Sequence, residues 1–193
     1  MQEHFEKVIG RLRTLEGLVE RLQTVESLAG QVSPVKIVAV KYADFTGTQA
    51  VSLESGAGLN ISGLEFAHAM VKSTNKILLL GQVGILANSV QYANSSIRFT
   101  VDGTAIVIGD AVGSRQRTSA WATVTTASTY AANSHFIMAG HTPGTVASRV
   151  YRLTAVNGSH TTRTVYVNRN ESDDNAPYRS RGASVMALIE YEE

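Results

Sequence analysis

No cysteine occurs in the chain, which excludes disulfides and thiolate metal sites and leaves packing and hydrogen bonds to hold the fold. It also leaves the redox compartment open. An excess of one charge is missing too: 17 Lys and Arg nearly balance 16 Asp and Glu. A net charge of +1 gives no broad electrostatic footprint, so nucleic acid is not an expected partner. Long apolar runs are absent. Runs such as Ile77 to Leu80 fall far short of the roughly 20 residues a membrane span needs, and no membrane insertion is expected. Met1 to Lys7 is charged and leads into an amphipathic pattern, not the apolar core of a signal peptide, so the expectation is a soluble product of a cytoplasm. Aromatic residues are few (7%) and prolines number three. Against these stand 44% hydrophobic residues, 16 glycines and many Thr and Ser, a composition that suits short strands joined by polar turns.

The clearest pattern lies at the N-terminus. Phe5, Val8, Leu12, Leu15, Val19 and Leu22 step by three and four alternately, with a at Phe5, Leu12 and Val19 and d at Val8, Leu15 and Leu22. A 3.5-residue apolar repeat is buried by winding helices around copies of themselves. This predicts a helix over Glu3–Ala29 that forms a coiled-coil stem. Arg11 at g and Glu16 at the next e are placed to pair between chains. After Leu22 the apolar residues fall at Val25, Leu28 and Val32, a short step resembling a stammer, and Leu18 joins that second track. An amphipathic helix lying on its own sandwich is the alternative. Gly30 and Ser33-Pro34 stop the helix, giving a stem over 1–32 and a body over 33–193.

The body reads as strands: Val35–Tyr42, Leu64–Val71, Lys76–Ala87, Ser96–Val101, Thr104–Ile108, Ala120–Thr126, His135–Ala139, Val146–Val156, Arg163–Arg169 and Ser184–Tyr191. Alternation is plain in Leu64, Phe66, His68, Met70 and in Ile97, Phe99, Val101. Asp102-Gly103 between two such runs is a tight hairpin signal. Many short strands without a second helical pattern predict a mainly β fold, a jelly-roll β-sandwich head on a helical stem.

Chemistry-bearing patterns are sparse, and no enzyme is expected. His4, His68, His135, His141 and His160 are scattered with no HxxxH or HExxH spacing. His68 lies on the apolar side of its strand and reads as a packed residue. No GxSxG or phosphate loop occurs, and Gly81 to Gly84 inside a strand points to a bulge or close backbone approach. Asn170–Asn175 carries oxygens that could ligate Ca²⁺ but lacks EF-hand spacing, so it reads as a solvated hairpin loop and no cofactor or metal is expected. The sequons at Asn60, Asn94, Asn157 and Asn170 read as polar turns. Arginines crowd the second half, where pairing with Asp102, Asp110, Asp173 or Asp174 and an anion or glycan site are the two readings.

Ile108-Gly109-Asp110-Ala111-Val112-Gly113-Ser114-Arg115 followed by Arg117 resembles a signature of marine phage, cyanophage-type, fibre-like virion proteins. Val167-Asn168-Arg169, Asp173-Asp174, Tyr178, Arg181–Ser184 and Met186–Glu190 resemble the C-terminal end of that domain, and the run through Leu64, Ser73 and Lys76–Leu78 is similar but weaker. The likeness covers roughly residues 35–193. It implies a TNF- or C1q-like jelly roll that assembles as a homotrimer in a virion appendage, made in the host cytoplasm and displayed on the particle.

From this follow several expectations. The chain is a trimeric fibre or spike whose head binds a bacterial surface glycan or protein, with Tyr130, Asp173, Asp174, Tyr178 and Arg179 as surface-binding candidates and Thr142–Thr145 as a further loop. The alternative is a capsid decoration protein that covers or stabilises the shell, anchored to other virion proteins through the stem. Arg115 or Arg117 is expected to pair with Asp110 or a neighbouring subunit's carboxylate near the trimer interface.

Overall fold

The computed structural model describes residues 35–88, 94–110, 117–123, 133–169, 171 and 181–192; the expected stem lies outside them. Lys36–Glu192 forms one compact unit. Its eleven strands are β1 (Lys36–Phe45), β2 (Gln49–Leu53), β3 (Gly58–His68), β4 (Lys76–Asn88), β5 (Asn94–Val101), β6 (Thr104–Ile106), β7 (Ala120–Thr123), β8 (Asn133–His141), β9 (Arg149–Asn157), β10 (Arg163–Val167) and β11 (Ser184–Glu192). Every segment read as a strand holds one of them. β2 and the first half of β3 escape the sequence reading: β2 is short, and Gly58, Ser62 and Gly63 interrupt the apolar alternation of β3. The expected strand Thr104–Ile108 ends earlier, at Ile106, because Val107 takes a left-handed φ of 48°.

The strands form two antiparallel sheets, the layers of a β-sandwich. One runs β1-β11-β4-β10-β2 with β8 also on β4, the other β3-β9-β5-β6 with β7 also on β5. β4 organises the first sheet. Residues Ile77–Gln82 pair with β11 along one edge and β8 along the other, while Leu86–Asn88 pair with β10. The core lies between the sheets, where period-two alternation points one side of each strand inward. Ile77, Leu79 and Val83 of β4 and Met186 and Leu188 of β11 are fully buried against Leu64, Ile97, Phe99, Tyr151 and Leu153 of the second sheet.

Local chemistry places the turns and bends. Asp102 (φ 50°) and Gly103 (φ 83°) form the two-residue loop between β5 and β6, with Val101 opposite Thr104. Positive φ at both positions is what a hairpin of this length needs to match strand twist. Gly81 and Gly84 make the close approaches expected of them. A Cβ on Gly81 would lie 2.9 Å from the Phe99 ring, and one on Gly84 would collide with the Ala183 backbone. The β4–β8 register shifts between Val83 and Leu86, a bulge beside Gly84.

Two buried asparagines tie strand ends to loops. Asn168, at φ 60°, donates from Nδ2 to the carbonyls of Phe45 (2.6 Å) and Gly47 (3.0 Å) and accepts from the Ser184 hydroxyl (2.6 Å). Asn157 donates to the carbonyls of Leu53, Glu54 and Thr161. The sequons are therefore not all turns: Asn60 lies within β3, and Asn157 is a buried staple at the end of β9. Asn168→Ala leaves buried acceptors unpaired and puts an ordinary side chain at positive φ. It should cost about 2–4 kcal/mol, read as a lower urea midpoint at unchanged slope.

Candidate functional site

A sheet that covers a core on one side normally turns polar residues outward. The second sheet does so, with Arg152 Nε donating to Glu65 (2.8 Å) and the Thr154 hydroxyl to Asn60 (3.0 Å). The first sheet does not. Its register aligns Tyr42, Ala187, Leu80 and Met138 across β1, β11, β4 and β8. The next row holds Val40, Ile189, Leu78 and Gly140, and the row beyond Met138 holds Asp44, Val185, Gln82 and Phe136. These positions alternate with the buried Ile77, Leu79, Met186 and Leu188, so they face away from the core. Val40 (61%), Tyr42 (65%), Phe136 (63%) and Met138 (60%) are mostly exposed, and the β11 and β4 residues between them are half-buried apart from Gln82, which is exposed. Asp44 is the one charged residue in these rows.

A contiguous apolar patch across four strands is the kind of surface that marks interaction sites, in contrast to scattered exposure. Burying such a side chain fully is worth about 1.5–3 kcal/mol. Both flanking strands are sheet edges among the described residues, since β1 pairs with β11 and β8 with β4 only. Ile37 (61% exposed) extends the apolar character along β1 toward residue 35, where the N-terminal segment joins the body.

Behind this face, one end of the sandwich is held by a buried carboxylate. Glu190 continues the inward parity of Met186 and Leu188 on β11 and is fully buried. Its Oε1 accepts from the Val71 N–H (2.9 Å) and Asn75 Nδ2 (2.6 Å), and its Oε2 meets His68 Nε2 at 2.8 Å. Burial pushes the Glu190 carboxyl up, but the hydrogen bonds from Asn75, Val71 and His68 outweigh it and hold it below the usual carboxylate range. Lys72 pairs with Glu192 outside. The β3–β4 connection is thus pinned to the last turn of β11 by side chains at 190 and 192. His68 is a packed residue, as its parity predicts; its carboxylate partner is not visible in local sequence. The signal that could have found Glu190 is a charged residue at the inward position of an otherwise apolar strand.

Two of the sequence-predicted site residues, Asp110 and Arg117, are among the described residues. Asp110 and Arg117 are both exposed, in the connection between β6 and β7 on the second sheet. Arg117 Nε donates to the Gly109 carbonyl (2.6 Å), and the Ser119 hydroxyl closes the same connection onto the Val107 carbonyl (2.9 Å). Asp102 is an arginine partner as expected, accepting from Arg149 (3.0 Å) and from the Val150 N–H (2.8 Å). Arg115, Tyr130, Asp173, Asp174, Tyr178 and Arg179 lie outside the described residues, as do Phe5, Val8, Leu12, Leu15, Val19 and Leu22 of the stem.

No family model matches the chain, and no curated protein matches it. Among solved structures it is similar to a chain of infectious bursal disease virus, Gt strain, at 12% identity and a TM-score of 0.41, covering 79% of this chain and 39% of that one. A chain of the Gx strain gives 14% identity and a TM-score of 0.38, covering 82% and 39%. The C-terminal domain of EclA, a sugar-binding protein, gives 12% identity and a TM-score of 0.32, covering 63% and 74%. The chain thus spans about two fifths of the length of the viral chains it matches. Likenesses at this level transfer neither partner nor activity.

The carboxylate staple has a direct test. Glu190→Ala strands the Asn75, Val71 and His68 donors in a buried site and should cost about 3–5 kcal/mol in chemical denaturation. Because the folded Glu190 carboxyl sits below its ordinary value of 4.5, its stabilisation is present above that pH and is lost as pH falls through the folded value. The acid limb of the parent's stability profile below pH 4.5 should flatten in the variant.

Proposed function

We propose that the chain is a structural protein of a phage virion, a trimeric fibre or spike whose jelly-roll heads associate through the apolar face of β1, β11, β4 and β8. That face is the observation that carries the reading. An isolated copy leaves Val40, Tyr42, Phe136 and Met138 in water, a standing cost that association removes. A second copy is the occupant that the sequence favours. The heptad seam from Phe5 to Leu22 is a self-association pattern, and it precedes β1, one border of the face, in the chain. Copies joined there raise the effective concentration of their own faces. The stem rests on the heptad seam, and the count of three and the virion location rest on the resemblance to marine phage fibre-like proteins. The polar surface left outside the trimer, including the loop through Thr142–Thr145, is then available to a bacterial surface glycan or protein.

The test of assembly is light scattering of the full chain at micromolar concentration, where three times the mass of one chain is expected. Phe136→Glu with Met138→Glu places two charges on exposed positions of the face, so the monomer fold should survive with unchanged circular dichroism while the mass drops to one chain. A parent that is monomeric, or a variant that keeps the full mass, sinks the assignment of this face.

Imaging of labelled protein on the particle separates fibre from capsid decoration. A few copies at the tail agree with a host-binding fibre. Many copies at symmetric shell positions assign the same face and stem to decoration.

A further inference from the structure

We propose that β8 is an acid-released latch: protonation of His135 and His141 on its inner side frees the strand, and with it the part of the apolar face formed by Phe136 and Met138. The inference rests on the self-association reading for its second half only.

Strand periodicity puts two opposed demands on one element. Along β8, His135, Ile137, Ala139 and His141 point toward the core, and Phe136, Met138 and Gly140 point outward. The strand is bonded to β4 along one edge and has no strand on the other among the described residues, so it can leave the sheet by breaking a single ladder. His135 is 5% exposed. Nε2 of His135 and of His141 is buried and meets no hydrogen-bond partner among the described residues. A second proton there would create a buried cation without an acceptor, which the sandwich cannot hold without opening. His68 differs, because Glu190 lies 2.8 Å away to receive a positive ring.

The surroundings favour the neutral rings. His141 lies edge-on to Tyr151 with ring centroids 5.9 Å apart, and burial raises the Tyr151 phenol to about 12, so it brings no negative charge. Burial and the nearby Arg149 cation both lower the proton affinity of His141, and Asp102 is already engaged by that arginine. Glu190 is across Ile77, two strands away, with both oxygens occupied. His135 faces Val83 on β4, and burial alone lowers its proton affinity. Of the other neighbouring strands, β5 has one charged residue, Arg98, at the parity opposite its core residues Ile97 and Phe99, and β7 has no titratable residue.

The sign follows from linkage. Groups whose folded proton affinity is depressed stabilise fully above their unfolded value, 6.5 here, and lose that contribution as pH falls below it. Each histidine raises the released population by at most about tenfold per pH unit in that range. Glu190 titrates below 4.5, so the window between belongs to the histidines.

The experiment is hydrogen exchange of the full chain at pH 7.5 and 5.5, corrected for intrinsic rates, with light scattering on the same samples. Amides of β8 should lose about tenfold to hundredfold protection relative to the β3–β9 pair, with a fall in mass. His135→Gln with His141→Gln should abolish the acid response while keeping the mass at pH 7.5. Should that variant not fold, the parent's β8 measured against its own β1 still decides. Unchanged relative protection of β8, or uniform loss in every strand, overturns the latch. A monomer already at pH 7.5 overturns the coupling to assembly and the self-association reading, whereas β8 exchange still judges the latch itself.

Discussion

The first sheet is governed by a single constraint: its central strands are apolar on both sides. β4 and β11 send Ile77, Leu79, Met186 and Leu188 into the core and Leu78, Leu80, Ala187 and Ile189 to the opposite surface. A sheet with one side in water normally carries polar residues there, because outward apolar residues gain only part of their burial from folding. The second sheet instead carries polar, mutually bonded side chains at its outward positions, Glu65 with Arg152 and Asn60 with Thr154. The asymmetry between the two layers is what the self-association proposal rests on.

Strand ends carry the polar work that the middle of the sandwich cannot. Asn157, Asn168 and Glu190 are fully buried, and each satisfies two or more partners from neighbouring loops. Buried polar groups earn their place when every atom is paired. His135 and His141 sit in the same kind of terminal position without that pairing on Nε2. The contrast separates the parts of the fold that are locked from a strand whose hold depends on the proton count.

Much of the fold was legible because period-two alternation and turn chemistry are local signals. Leu64, Phe66 and His68 and the Asp102-Gly103 hairpin stand where their pattern puts them. β2 was not legible, since Gln49–Leu53 becomes a strand by pairing with β10 more than a hundred residues on, a partner no local window contains. The candidate face was only half legible. Alternation does not separate two apolar sides when both are filled, so Leu78 and Leu80 read as part of a continuous run with Ile77 and Leu79.

By itself the sequence determined the class of the protein: strands in number, no disulfide scaffold, no catalytic spacing, and an N-terminal heptad seam of the kind helices bury against copies of themselves. Only the tertiary structure decided which strands are neighbours, and therefore that Tyr42, Ala187, Leu80 and Met138 form one row and that His68 meets Glu190 across 122 positions of chain. Propensity and periodicity act over a few residues, whereas register is set by which long-range pairing buries the most apolar surface while leaving the fewest polar groups unpaired.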